Sequence, residues 1–179
     1  MNDHKGFFAM MARMKYIERW ALMRNSVSEN ICEHSLEVAM LAHGLGIIGR
    51  KRFGKDLSPE RLAMLGMYHD CTEIITGDMP TPVKYANDEL KEAYKAIEDS
   101  AAHRLLEMLP EDLRAEYESY FLPEQITPEE YRYVKAADKL SALIKCIEEE
   151  KTGNQEFRSA KQATYESLQQ MNMPEVTVF

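Results

Sequence analysis

Ile31-Cys32-Glu33-His34-Ser35-Leu36-Glu37-Val38-Ala39-Met40-Leu41-Ala42-His43-Gly44-Leu45-Gly46-Ile47-Ile48 is the stretch whose reading decides the architecture. Within it His34, Val38, Leu41, Leu45 and Ile48 recur at spacings of 4, 3, 4 and 3, the period of one face of an α-helix. His34 continues this apolar stripe at its N-terminal end, so its imidazole is expected to point inward. The pattern predicts a helix from about Ile31 to Arg52, with Gly54 as its stop signal. Upstream, Arg24-Asn25-Ser26-Val27-Ser28-Glu29-Asn30 is rich in turn formers and reads as a loop. A first helix before it covers about Phe7 to Ile17.

Downstream the chain continues as helix after helix, with no alternating strand pattern. Ser58-Pro59 pairs a cap with a first-turn proline and opens a helix toward Asp70. A short helical piece near Cys71 to Ile75 follows. Thr76-Gly77-Asp78-Met79-Pro80-Thr81-Pro82 holds two prolines and a glycine and is expected to be a shaped loop. Helices are then predicted from about Asp88 to Leu109, from Pro110 toward Tyr120, from Thr127 to Glu150 and from Gln155 to Gln170. Thr127-Pro128-Glu129-Glu130 combines a cap, a first-turn proline and a capping-box glutamate. No repeat, low-complexity tract or linker divides the chain. The expectation is one all-α domain over residues 1–179, with its core at about 7–161 and a short C-terminal tail.

Composition bounds the function. With 179 residues, 45% of them hydrophobic, the chain can bury a core without staples. Its formal charge of −8 argues against a nucleic-acid polymer as partner. Cys32, Cys71 and Cys146 are distant and odd in number, with no Cys-x-x-Cys pair, so neither a disulfide framework nor a thiolate zinc site is suggested. With no recognisable signal peptide, and with the longest apolar stretch, Val38–Ile48, broken by His43 and followed by Gly49-Arg50-Lys51-Arg52, the expectation is a cytoplasmic protein without a membrane partner.

Polar residues on apolar faces carry the chemistry. Leu62, Leu65 and His69 lie at spacings of 3 and 4, so His69 is expected on a buried face with Asp70 directly after it. Asp138 lies one turn after Val134, beside the small Ala136 and Ala137. A buried carboxylate without a partner costs several kcal/mol, so Asp70 and Asp138 need a cation or a set of donors. Two imidazoles and two carboxylates at one point would suit Mn²⁺, Co²⁺, Fe²⁺ or Zn²⁺, with positions left for water and substrate.

In order and context, His34, His69-Asp70 and Asp138 match the HD-domain metal-dependent phosphohydrolases. More narrowly, Arg19-Trp20, Glu33-His34-Ser35, Tyr68-His69-Asp70 with Glu73, Thr76-Gly77-Asp78-Met79-Pro80-Thr81-Pro82-Val83-Lys84-Tyr85 and Lys135-Ala136-Ala137-Asp138 resemble the bacterial 5′-deoxynucleotidases of the YfbR-like family. The resemblance runs from Phe7 to about Lys161. It departs from the pattern at Cys71, where a small residue such as alanine is expected, and in a short C-terminus.

The resemblance implies an HD-domain helical bundle that hydrolyses a 2′-deoxyribonucleoside 5′-monophosphate to deoxynucleoside and phosphate. It implies one divalent ion per subunit, Co²⁺, Mn²⁺ or similar, on His34, His69, Asp70 and Asp138, and a homodimer. Catalytic roles fall to Glu73, Asp78 and Arg19. Substrate contact falls to Arg19, Trp20, His34, Asp70, Asp78, Met79, Pro80, Thr81 and Asp138, with Trp20 as a wall against a 2′-hydroxyl.

Other readings stand beside this one. The chain could be an HD enzyme for another nucleotide or a phosphodiester, or a non-catalytic nucleotide-binding module. His43 and His103 read as core or surface residues, the twelve methionines as core fillers, and Glu148-Glu149-Glu150 as a solvated helix end. Lys84 and Arg24 read equally as phosphate-steering or plain surface charges.

Overall fold

The computed structural model describes residues 6–84 and 86–179; Tyr85, part of the loop motif above, lies outside them. Among the described residues the architecture is all helical, as the sequence predicts, and no strand is present beyond one isolated bridge. Its centre is the predicted apolar helix. With α1 taken as Phe7–Met11, this central helix is α2, Ile31–Phe53. The Asn30 side chain accepts from the backbone N–H groups of Cys32 and Glu33, and Gly54 closes the helix in the left-handed region.

Two helices flank α2. The first is α3, Pro59–Tyr68, whose cap Ser58 accepts from the Arg61 N–H. The two meet closely at Gly66, where an added Cβ would stand 3.0 Å from the Ala39 Cα. A side chain there would push the helices apart, and with them the histidines each positions. The second flank is α8, Pro128–Lys151, opened by the predicted capping box between Thr127 and Glu130. In between come α4 (Glu73–Thr76), α5 (Thr81–Lys84), α6 (Asp88–Leu106) and α7 (Glu111–Phe121); α9 (Arg158–Gln170) and α10 (Pro174–Val178) follow α8.

Two apolar clusters fill the interior. One gathers Phe7, Ile31, Ile74, Leu105, Leu109 and Phe121; the other gathers Val38, Leu45, Leu62, Tyr133, Leu140 and Leu168. Ile31 and Val38 place His34 between the two on α2. By length and composition alone α2 could cross a membrane, but half of its apolar window is buried against the other helices.

The structure corrects several boundaries. The first helical stretch is α-helical only to Met11 and tightens into a 3₁₀ helix over Ala12–Tyr16, because Ile17 turns extended to receive the Ile31 N–H on its carbonyl. Thr81–Lys84 is helical although the motif around it reads as loop, since a proline in a first turn sacrifices no hydrogen bond. The C-terminal residues close the second cluster: Met173 is buried, and the buried Glu175 accepts from the Tyr133 hydroxyl at 2.6 Å.

Candidate metal and substrate site

His34 leaves α2 fully buried. His69 and Asp70 do not continue α3 but occupy a tight turn before α4, held by the Cys71 N–H to the Tyr68 carbonyl and the Glu73 N–H to the Asp70 carbonyl. This turn swings both side chains toward α2. The two imidazole centroids stand 5.2 Å apart, and single ligand atoms of His34, His69 and Asp70 all lie within 4.8 Å of one another. Asp138 reaches in from α8, its Oδ1 3.3 Å from His34 Nε2. Asp70 Oδ2 stands 3.4 Å from His34 Nε2 and 3.1 Å from His69 Nε2.

The donor set fits a divalent cation. Each imidazole commits its Nδ1: that of His69 donates to the Gly66 carbonyl at 2.7 Å, and that of His34 meets the Ser141 hydroxyl at 3.0 Å. Both Nε2 atoms are buried without a hydrogen bond among the described residues and face carboxylates, the disposition of neutral ligands whose tautomer is set from behind. Ser141 in turn donates to Glu37 Oε2 at 2.5 Å, so His34 is oriented by a serine and a glutamate that sequence reasoning did not nominate.

Electrostatics agree. Burial opposes ionisation of Asp70 and Asp138, yet His69 and His34 hold the first, and His34 and Lys135 the second, well below the usual carboxylate range. Burial would lower the His34 pKa, but Asp138 and Asp70 raise it to about 9.

Glu73 starts α4 rather than riding a continuing helix. It is buried, and its Oε2 has no hydrogen-bond partner among the described residues. Desolvation, together with the Asp70 and Asp78 carboxylates, pushes its pKa up to about 10. Asp78 follows Gly77, whose φ of 74° and ψ of 161° suit only glycine. Burial raises the Asp78 pKa as well, opposed by Arg19 and the Trp20 backbone N–H, which places Asp78 beside both.

Arg19 and Trp20 stand on the loop that enters α2. Its neck is closed by an antiparallel bridge between Glu18 and Asn30 and by the Arg19 N–H to the Glu29 carbonyl at 2.9 Å. Arg19 Nη1 lies 3.3 Å from Asp70 Oδ2, which joins the loop to the metal cluster. One carboxylate oxygen of Glu29 accepts from both Arg19 Nε at 3.2 Å and Trp20 Nε1 at 2.7 Å. Glu29 thus holds two candidate site residues, a role missed in the sequence, where it sits among turn formers with no periodicity to mark it.

The other sequence expectations sort plainly. Met79 and Pro80 are half-buried beside Asp78, Thr81 is exposed, and no hydrogen bond ties their side chains to the cluster among the described residues. Lys84 pairs with Glu98 at 2.7 Å, and Arg24 is exposed, bonded through its backbone. His43 is half-buried and His103 exposed. Glu149 contradicts the solvated helix end: it is 2% exposed, because it lies on the face of α8 that meets the loop.

Over residues 6–179 the chain matches the family described as 5′-deoxynucleotidase YfbR-like. It belongs to that family. A 5′-deoxynucleotidase of Vibrio atlanticus and one of Vibrio cholerae are each 49% identical to it over 173 residues, covering 97% of this chain and 89% of theirs. In structure, an HD-domain phosphohydrolase of Listeria innocua superposes with a TM-score of 0.84 at 23% identity, over 97% of this chain and 83% of that one. The cyanophage S-2L HD phosphohydrolase DatZ, bound to dA and one catalytic Zn²⁺ ion, superposes with a TM-score of 0.65 at 23% identity, over 94% and 88%. These likenesses establish the HD-domain fold for this YfbR-like chain.

Proposed function

We propose that the protein is a metal-dependent phosphoric monoester hydrolase that converts 2′-deoxyribonucleoside 5′-monophosphates to deoxynucleoside and inorganic phosphate, with His34, His69, Asp70 and Asp138 holding one divalent ion. The observation that carries this reading is the meeting of Arg19 with Asp70 at 3.3 Å, which puts a phosphate-matching guanidinium at the edge of a two-histidine, two-carboxylate cluster. The naming of the Vibrio relatives as 5′-deoxynucleotidases supports it.

A phosphate monoester dianion repels an attacking oxygen, and its leaving alkoxide needs a proton. The ion, when bound, supplies positive charge against the phosphate and lowers the pKa of a water. Arg19 presents a planar fork to phosphate oxygens, held in aim by Glu29. Glu73 and Asp78 are carboxyls with raised pKa values; between them they take a proton from the attacking water and return one to the 5′-oxygen. Trp20 forms a wall against the sugar that crowds a 2′-hydroxyl, and Met79, Pro80 and Thr81 complete the pocket. The reading extends to Co²⁺, Mn²⁺ or a similar ion, and to a homodimer of one-domain subunits in the cytoplasm, with neither a nucleic-acid polymer nor a membrane as partner.

The test is phosphate release from matched deoxy and ribo 5′-monophosphates, with deoxy 3′-monophosphates as controls, after chelation and readdition of Co²⁺, Mn²⁺, Zn²⁺ or Mg²⁺. Metal-restored hydrolysis confined to the deoxy 5′-compounds is expected. Turnover of none of them with any metal would refute the proposal.

A further inference from the structure

Asp138, Ser141, Lys145 and Glu149 follow spacings of 3, 4 and 4 along one face of α8. The first two face the metal cluster. The last two are also buried, and neither takes part in the chemistry above. Instead they meet the loop that carries Arg19 and Trp20, more than a hundred residues away in sequence.

The contacts are backbone-directed and dense. Glu149 accepts from the Ser26 N–H at 2.9 Å and the Val27 N–H at 3.3 Å, and from Asn154 Nδ2 at 2.8 Å. Lys145 donates to the Glu149 carboxylate and to the Val27 carbonyl. Asn154 also donates to the Arg24 carbonyl at 2.7 Å, and Glu156 accepts from the Arg24 N–H at 2.9 Å. Beyond them Phe157 packs on Trp20, ring centroids 5.3 Å apart.

Apolar packing does not hold this part of the loop. Val27 is 66% exposed and Leu22 is 70% exposed, and a cleft of about 200 Å³ beside the contacts is lined by both loop and helix, among them Val27, Ser28, Glu29, Lys145, Glu149 and Thr152. The position of residues 24–27 therefore rests on the polar contacts. A desolvated carboxylate meeting four donors is a strong, directional anchor.

We propose that Lys145 and Glu149 are positioning residues for the substrate loop: they clasp residues 24–27 to the end of α8 and so set where Arg19 and Trp20 stand toward phosphate and sugar. The inference rests on the reading of Arg19 and Trp20 given above. It predicts that substrate affinity and sugar preference depend on Glu149, whereas metal binding does not.

Trp20 is the sole tryptophan, so intrinsic fluorescence reports the loop directly. In full-length, metal-loaded protein, Glu149→Gln is expected to raise KM for a deoxynucleoside 5′-monophosphate by about tenfold or more, with a smaller change in kcat. The preference for deoxy over ribo compounds falls, Trp20 emission shifts, and metal content and helical circular dichroism stay at parental values. A purely structural role would lower the melting temperature and leave KM, preference and emission of the folded protein unmoved; that result overturns the proposal. Should Glu149→Gln not fold, Asn154→Ala, at the rim of the clasp, must move the same readouts, and parental values there overturn it equally. Trp20→Ala identifies which reading fails: if its sugar preference is also parental, the sugar wall is refuted, and a shifted emission in Glu149→Gln still shows the clasp holding the loop.

Discussion

The metal cluster and the substrate loop lie within one ion pair of each other, yet they are held by different physics. The cluster's donors come from α2, the turn after α3 and α8, elements locked by apolar packing and by the close approach at Gly66. The loop has no regular structure beyond its neck bridge. It keeps Trp20 at a φ of 60°, a conformation that costs a non-glycine residue about 1–3 kcal/mol, and it is placed by hydrogen bonds that Glu29 and Glu149 accept and that Asn154 donates. On the proposed assignment, packing fixes the groups that do chemistry, and a polar clasp fixes those that choose the substrate. The two functions should be separable by mutation.

The largest separation is expected at Asp138. Asp138→Ala removes a donor on a packed helix and should abolish metal retention and lower turnover by about 10³-fold or more, while Trp20 emission stays parental. Metal analysis after gel filtration, read beside the fluorescence, checks this; a metal-replete, active variant would take Asp138 out of the cluster. Ser141→Ala should act more mildly. Without the hydroxyl that orients His34, metal affinity is expected to fall about 10–100-fold, with sugar preference kept, as measured by titrating the metal-free protein.

Per pH unit, the smallest effect is a pH dependence. In the metal-free protein His34 has a pKa raised to about 9 from 6.5, so an entering ion displaces a proton. Apparent metal affinity should rise by roughly tenfold per pH unit toward pH 9 and flatten above it. Correspondingly, the stability that charged His34 gives the metal-free protein is full below about pH 6.5 and is lost as pH rises through about 9. Calorimetry in buffers of different ionisation enthalpy checks the proton release, and pH-independent binding would contradict it.

The two regions also differ in how far they can be read from sequence. The stripe from His34 to Ile48 is periodic, so the inward imidazole and the central helix follow from spacing alone. His69-Asp70 came from the same logic, although the helix stops one residue earlier than the stripe suggests, and the tightened turn rather than a continuous helix aims them. Glu29 carries no such mark, because it sits on irregular backbone; Lys145 and Glu149 share the helical phase of Asp138, but their partners lie at the far end of the chain. Glu149 was within reach: it lies three turns from Asp138 on the same face, whereas its neighbours Glu148 and Glu150 do not. Three consecutive glutamates look alike in composition, and only the helical phase tells which one is buried.

The most direct test of separable chemistry and selection is Trp20→Ala, with metal content and the deoxy-to-ribo ratio of kcat/KM measured on the same preparation. Full metal content and a ratio reduced by up to about a hundredfold are predicted. A parental ratio, or a ratio that falls only together with metal loss, would contradict the division of labour between cluster and loop.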